Sequence, residues 1–253
     1  MVFHVPESQA DAVAAWLEQQ LSAPHVSHDP EGISSHVSRA SRGVPPVTGF
    51  WLGVIVVSGL WLLAGFSEPW DWMIVDPRWW DVDSPGARWL AILETLGMGE
   101  VWRLISPVWL HFSLEHGLFN MLALYILGGP LERYLGSVRL MASIIAIGVV
   151  SNVLQALTGP ITFGGFSGIN YGLMGMVWVL KRSDEAGHFA GIPTSLIYFS
   201  VFFAFLGLTG MTDAVGLNMA DTAHFSGLAT GSVLGVLFRT KKGGKAPESC
   251  EVP

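Results

Sequence analysis

At 253 residues, 51% hydrophobic and only 13% charged, the chain has about half the roughly 25% charged content of an ordinary soluble domain. Its net charge of −7 offers no basic surface for nucleic acid. The apolar residues fall in blocks near the roughly 20 residues needed to cross a bilayer as helix, and the mean hydropathy is +0.48, so composition points to a polytopic membrane protein.

Residues 1–46 read as a cytosolic N-terminal segment and linker. Met1 to Val5 suits a short strand, and Ser8 with Asp11 suits a helix cap. Ala10, Val13, Ala14, Leu17 and Leu21 then share one helical face. This is too little to fold alone, and a His-, Ser-, Gly- and Pro-rich linker follows it to Pro45-Pro46. The first 40 residues lack the basic start and apolar run of a secretory signal, so the first apolar span is expected to remain as an anchor.

Six spans follow, near 48–66, 114–134, 138–157, 167–180, 192–210 and 222–238, in a domain over 47–240. Residues 241–253 form a cytosolic polar tail holding the single cysteine, Cys250. The long connection from 67 to 113 carries Trp70, Trp72, Trp79, Trp80, Trp89, Trp102 and Trp109. Tryptophan favours the headgroup zone, so this loop is expected to lie along or partly within one leaflet. The bilayer is thus the first partner that the sequence implies.

With the N-terminus in the cytoplasm, Arg39, Arg42, Arg133, Arg139, Lys181, Arg182, Arg239, Lys241, Lys242 and Lys245 fall inside. Only Arg78, Arg88 and Arg103 fall outside, all in the long loop. Short basic loops stay cytoplasmic, so both termini are placed inside.

Polar groups within a bilayer are costly and need a reason. His116 and Asn120 in the second span, Ser167 opening the fourth and His224 opening the sixth are the four that stand out. Counting back from the basic ends, Ser167 lies about 21 Å from Lys181, His224 about 22 Å from Arg239 and Asn120 about 20 Å from Arg133, at 1.5 Å per residue. Three spans therefore bring a polar group to one level, roughly 10 Å below the outer surface of a 30 Å core. Gly227, Gly231 and Gly235 continue the face of His224, and Gly168, Gly172 and Gly175 line the fourth span. Small residues at that spacing let backbones approach, which would bring Ser167 to His224. The stretch from Thr158 to Phe166 is poorly suited to helix, and irregular backbone at depth is tolerated only against protein or a wet cavity.

The chemistry assembles from these parts. A serine hydroxyl needs a base, and imidazole titrates in the right range. No carboxylate stands where it would orient His224, Asp221 being nearest at the span entrance, so a Ser167–His224 dyad is expected. Tyr171, one turn below Ser167, is placed to pack on the imidazole. Candidates for the oxyanion donors are the Asn120 amide, the Ser167 backbone N–H and His116.

Trp102-Arg103, His111-Phe-Ser-Leu-Glu-His116 with Phe119-Asn120, Gly128-Gly129 with Glu132 and Gly136-Ser137, Gly165-Phe-Ser167-Gly168 with Tyr171, and Ala223-His224 leading into Gly227 and Gly231 stand in one order. Over about residues 100–235 this set resembles the rhomboid family of intramembrane serine proteases, of the bacterial GlpG type. The resemblance implies an all-α, six-transmembrane-helix bundle with a partly submerged outer loop and a short cytosolic N-terminal segment. It implies Ser167 as nucleophile, His224 as base, Asn120 and His116 at the oxyanion, and Tyr171, Gly165 and Gly168 in support. It further implies a mobile fifth span and a capping loop near 210–221 that admit substrate, and structural roles for Glu132 and Arg133. Activity would be cleavage of transmembrane proteins near the outer surface of the bacterial inner membrane, preferring small residues, with no metal or other cofactor. Two departures are Thr222, where a glycine commonly precedes Ala-His, and Asp221 beside the base. Residues 1–30 match only the latter part of the family's cytosolic domain.

Each signal alone has a blander meaning. Gly-Phe-Ser-Gly is more often packing than a nucleophile, and Ile169 replaces the second glycine of the soluble hydrolase elbow. His224 alone would be a bundle histidine, and His116 with Asn120 interhelical glue. Tyr171 is as readily plain core. His111 reads as structural or interfacial, and His4, His25, His28, His36 and His188 as solvated. Conjunction favours the enzyme; the alternatives are a pseudoprotease or adaptor that binds membrane clients without cleaving them, and a transporter, which lacks the expected internal repeat. Zinc chemistry fits poorly, since His111 and His116 are five apart and lack the His-Glu-x-x-His pattern.

Overall fold

A computed structural model describes residues 43–66, 81–212 and 219–239, and among them helix is the only regular structure. The helices are α1 (Pro46–Leu63), α2 (Pro85–Gly97), α3 (Leu114–Leu135), α4 (Ser137–Thr158), α5 (Ser167–Leu180), α6 (Thr194–Leu208) and α7 (Asp221–Phe238). All but α2 coincide with the six expected spans to within three residues. The strand and cap read near the N-terminus, the polar tail, and Trp70, Trp72, Trp79 and Trp80 lie outside the described residues, as do His4, His25, His28 and His36.

The exterior is apolar. Phe50, Val57 and Leu60 of α1, Leu118 and Leu122 of α3, Phe199, Phe202 and Phe205 of α6, and Val233 and Leu237 of α7 are all exposed. Such a surface would be an aggregation liability in water and is what hydrocarbon accepts. At 18 and 22 residues, with mean hydropathies of 1.8 and 2.0, α1 and α4 are each long and apolar enough to cross a bilayer. The 14-residue α5 is shorter but enclosed, every residue from Gly168 to Val177 being buried. It is the central helix, and its main neighbour is α7.

Glycines set that contact. A Cβ at Gly227 would collide with the Gly168 carbonyl oxygen, one at Gly231 with that of Gly172, and one at Gly175 with that of Leu228. Backbone thus lies on backbone over two turns, as the small-residue faces predicted. Around it pack Leu124, Leu127 and Leu131 of α3 and Leu140, Ile144 and Ile147 of α4.

At the end of α3 remote from Asn120, the buried Glu132 carboxylate fastens α1 to the bundle. It accepts hydrogen bonds from the Val47 N–H (2.9 Å), the Thr48 N–H (2.8 Å) and the hydroxyls of Thr48 and Ser137 (2.8 Å each). A neighbouring Gly136 at φ +80° turns the chain from α3 into α4, a backbone conformation that L side chains resist.

The long connection holds more structure than its tryptophans indicate. Ser84 caps α2 by accepting from the Ala87 N–H (3.2 Å), with Pro85 at its first position. Ala91 and Ile92 pack on Ala156, Ile161 and Phe163. Arg88 Nη1 donates to the carbonyls of Ala156 (3.3 Å) and Gly159 (2.6 Å), which α4 leaves unpaired at its C-terminus. Trp89 and Trp102 remain exposed.

Two histidines outside the candidate site bear on the sequence reading. His111 is structural as expected: it is fully buried, its Nδ1 lying 3.0 Å from the Trp109 carbonyl and 3.2 Å from the Ser58 hydroxyl of α1. His188 was expected to be solvated and is not simply so. Its Nδ1 lies 2.8 Å from one Asp184 oxygen, while the other accepts the Phe189 N–H (2.8 Å). The buried Phe189 ring anchors this turn and brings the pair together.

Candidate active site

Ser167 opens α5, so its N–H has no acceptor within the helix. His224 sits in the first turn of α7. With the two helices in backbone contact, the hydroxyl oxygen of Ser167 and Nε2 of His224 lie 2.9 Å apart. For the hydroxyl to donate, Nε2 carries the lone pair and Nδ1 the proton. Among the described residues Nδ1 is buried without a hydrogen-bond partner, and none of their carboxylates bonds to the ring. The Tyr171 ring stacks on it instead, centroids 4.4 Å apart and planes 23° apart. Tyr171 is held in turn by its hydroxyl, which donates to the Ser200 carbonyl on α6 (2.9 Å).

Ahead of Ser167 the chain is irregular and pressed against protein. The Gly165 N–H donates to the Pro107 carbonyl (2.9 Å), and a Cβ at Gly164 would stand 2.5 Å from that of Leu110. Gly165 adopts φ +107°, and a Cβ there would lie 2.6 Å from His116 Nε2 and 3.4 Å from Asn120 Nδ2. Both side chains of α3 therefore converge on the backbone two residues before Ser167. The Asn120 Nδ2 is buried and has no acceptor among the described residues.

The two departures have structural roles. Asp221 begins α7 with its carboxylate against α6, where a Cβ on Gly207 would collide with Oδ1. The hydroxyls of Thr158 and Thr222 lie within hydrogen-bond distance (2.9 Å), joining the end of α4 to the start of α7. Gly168 lets Ser151 approach, its absent Cβ being 3.0 Å from the Ser151 hydroxyl oxygen.

All seven predicted site residues thus gather at one end of α3, α5 and α7. Two further amides belong to the cluster. Gln155 Oε1 accepts from the Ala223 N–H (3.0 Å) beside His224, and Asn170 Nδ2 donates to Asn120. Both are polar groups within apolar spans, the signal that exposed the other four, and both were readable by it. Among the described residues no three His, Cys, Asp or Glu side chains form a metal-binding group.

A family model described as the Rhomboid domain matches residues 98–241, which contain this whole arrangement. The chain belongs to the rhomboid family. It is similar to the rhomboid protease GlpG of Photorhabdus laumondii, 32% identical over 231 residues that cover 90% of this chain and 73% of that relative. The rhomboid proteases GlpG of Yersinia pestis (strain Pestoides F) and Yersinia pseudotuberculosis (serotype O:3) are each 40% identical over 136 residues, 53% of this chain. Against those two the match spans about half, 47%, of the relative's length. This rhomboid is accordingly a bacterial, GlpG-type integral membrane protein and an intramembrane serine protease.

Proposed function

We propose that this rhomboid hydrolyses peptide bonds of transmembrane proteins near the outer face of the inner membrane, with Ser167 as nucleophile and His224 as general base. The observation that carries the reading is the 2.9 Å approach of the Ser167 hydroxyl to His224 Nε2, on helices whose glycines leave no slack between them.

The hydroxyl gives its proton to Nε2 as Oγ attacks the scissile carbonyl carbon, forming a tetrahedral intermediate with a negative oxygen. Donors aimed at that oxygen act most strongly where water is scarce, and the Asn120 Nδ2, the Ser167 N–H and the His116 ring are the groups assigned to it. Collapse expels the amine, which takes the proton from Nε2, and leaves an ester on Ser167. A water then gives its proton to His224 and attacks the ester, and the proton returns to Oγ as the acid product leaves. Tyr171 keeps the imidazole in plane throughout, doing by stacking what a carboxylate does in a triad.

Six spans are proposed, α1 and α3 to α7, with both termini cytoplasmic. The apolar exterior of these helices supports that reading, as does the distribution of basic residues. The α2 layer would then rest at the outer interface.

Ser167→Ala and His224→Ala are each expected to remove cleavage of a model transmembrane substrate while leaving thermal unfolding in detergent unchanged. A fluorophosphonate should label the wild-type protein at Ser167, mapped by mass spectrometry. Wild-type turnover by the serine variant would reject the assignment.

A further inference from the structure

We infer that Asn170 is a positioning residue for the oxyanion site, holding the Asn120 carboxamide with its NH2 turned towards Gly165. The inference rests on the proposed role of Asn120 as a donor. Asn170 Nδ2 lies 3.1 Å from the Asn120 backbone carbonyl and 3.1 Å from Asn120 Oδ1. Both side chains are buried, each only 4% exposed.

The orientation follows from what each group is able to do. A backbone carbonyl only accepts, so the Asn170 atom facing it must be the NH2. That same NH2 faces one end of the Asn120 carboxamide, which must then be the oxygen, because NH2 against NH2 makes no hydrogen bond. The Asn120 NH2 is thereby sent the other way. There it is buried without a partner, 3.4 Å from the Cβ position of Gly165.

Packing alone does not account for Asn170. The four residues after Tyr171 are Gly172, Leu173, Met174 and Gly175, and the Asn170 Oδ1 is itself buried without a partner. An aliphatic side chain would leave no such atom. Without Asn170 the Asn120 carboxamide is free to turn its oxygen towards the developing negative charge, where it repels rather than stabilises.

The test is a double-mutant cycle in purified enzyme, reading kcat and KM for a transmembrane substrate together with thermal unfolding. N170L is expected to lower kcat roughly three- to thirtyfold, part of what a whole oxyanion donor contributes, with KM within twofold and unfolding unchanged or raised. In an N120A background, itself slowed roughly 10- to 1,000-fold, adding N170L should change kcat less than twofold. Equal losses in the two backgrounds, or wild-type kcat in N170L, overturn the inference while leaving the dyad intact. Wild-type kcat in N120A would instead overturn the oxyanion reading beneath it. N170V, smaller and β-branched, repeats the cycle should N170L fail to fold, and failure of both to fold would make Asn170 structural and refute the proposal.

Discussion

At His224 the ring is held by contacts to its faces, since Nδ1 has no acceptor among the described residues. The stacked Tyr171 supplies that contact, and its hydroxyl is committed elsewhere, to Ser200. The two functions separate by mutation. Tyr171→Phe keeps the ring and should hold kcat within roughly threefold, the effect of one neutral hydrogen bond. Tyr171→Ala removes the ring and should lower kcat roughly 10- to 100-fold through misplacement of the base. Cleavage kinetics on one transmembrane substrate decide it, and equal losses would move the role from the ring to the hydroxyl. Ser167, His224, Asn120 and His116 were legible because a polar side chain in an apolar span is costly and therefore conspicuous. What the sequence did not carry was the direction of an amide. Asn170 is as polar as Asn120, yet which of its atoms faces which neighbour depends on the distance between α3 and α5.

Between elements, the α5–α7 seam sets the geometry on which the proposed dyad depends. A methyl group at Gly231 would strike the Gly172 carbonyl oxygen, whereas one at Gly53 on α1 meets nothing within 4 Å. Gly231→Ala should therefore destabilise by about 1–3 kcal/mol through overpacking and slow cleavage by parting Ser167 from His224. Gly53→Ala should leave both stability and cleavage near wild type. Unfolding in detergent and cleavage assays run in parallel would check the pair, and a stable, fully active Gly231→Ala would show that the seam has slack. Glycines four apart announced this seam because the helical period puts them on one face. By contrast, α2 could not be read. Its 13 residues are short, and the surface that receives Ala91 and Ile92 is built from Ala156, Ile161 and Phe163, more than sixty positions further along.

For the whole molecule, orientation is the claim most directly open to test. Cys250 is the only cysteine and, with a cytoplasmic C-terminus, a membrane-impermeant maleimide should label it in inverted vesicles and not in intact spheroplasts. Labelling from the outside would reverse the proposed topology. The amino-acid sequence by itself determined the class of molecule and the position and register of its apolar helical segments, and it marked the polar groups expected to share a depth. These follow from composition, helical rise and the cost of polarity in hydrocarbon, which are properties of each segment alone. The tertiary structure decided which of those groups meet. The approach of Ser167 to His224, the seating of the Asp221 carboxylate against Gly207 and the hold of Asn170 on Asn120 all depend on interhelical distances. Such distances are set by the joint packing of several helices, and no single segment encodes them.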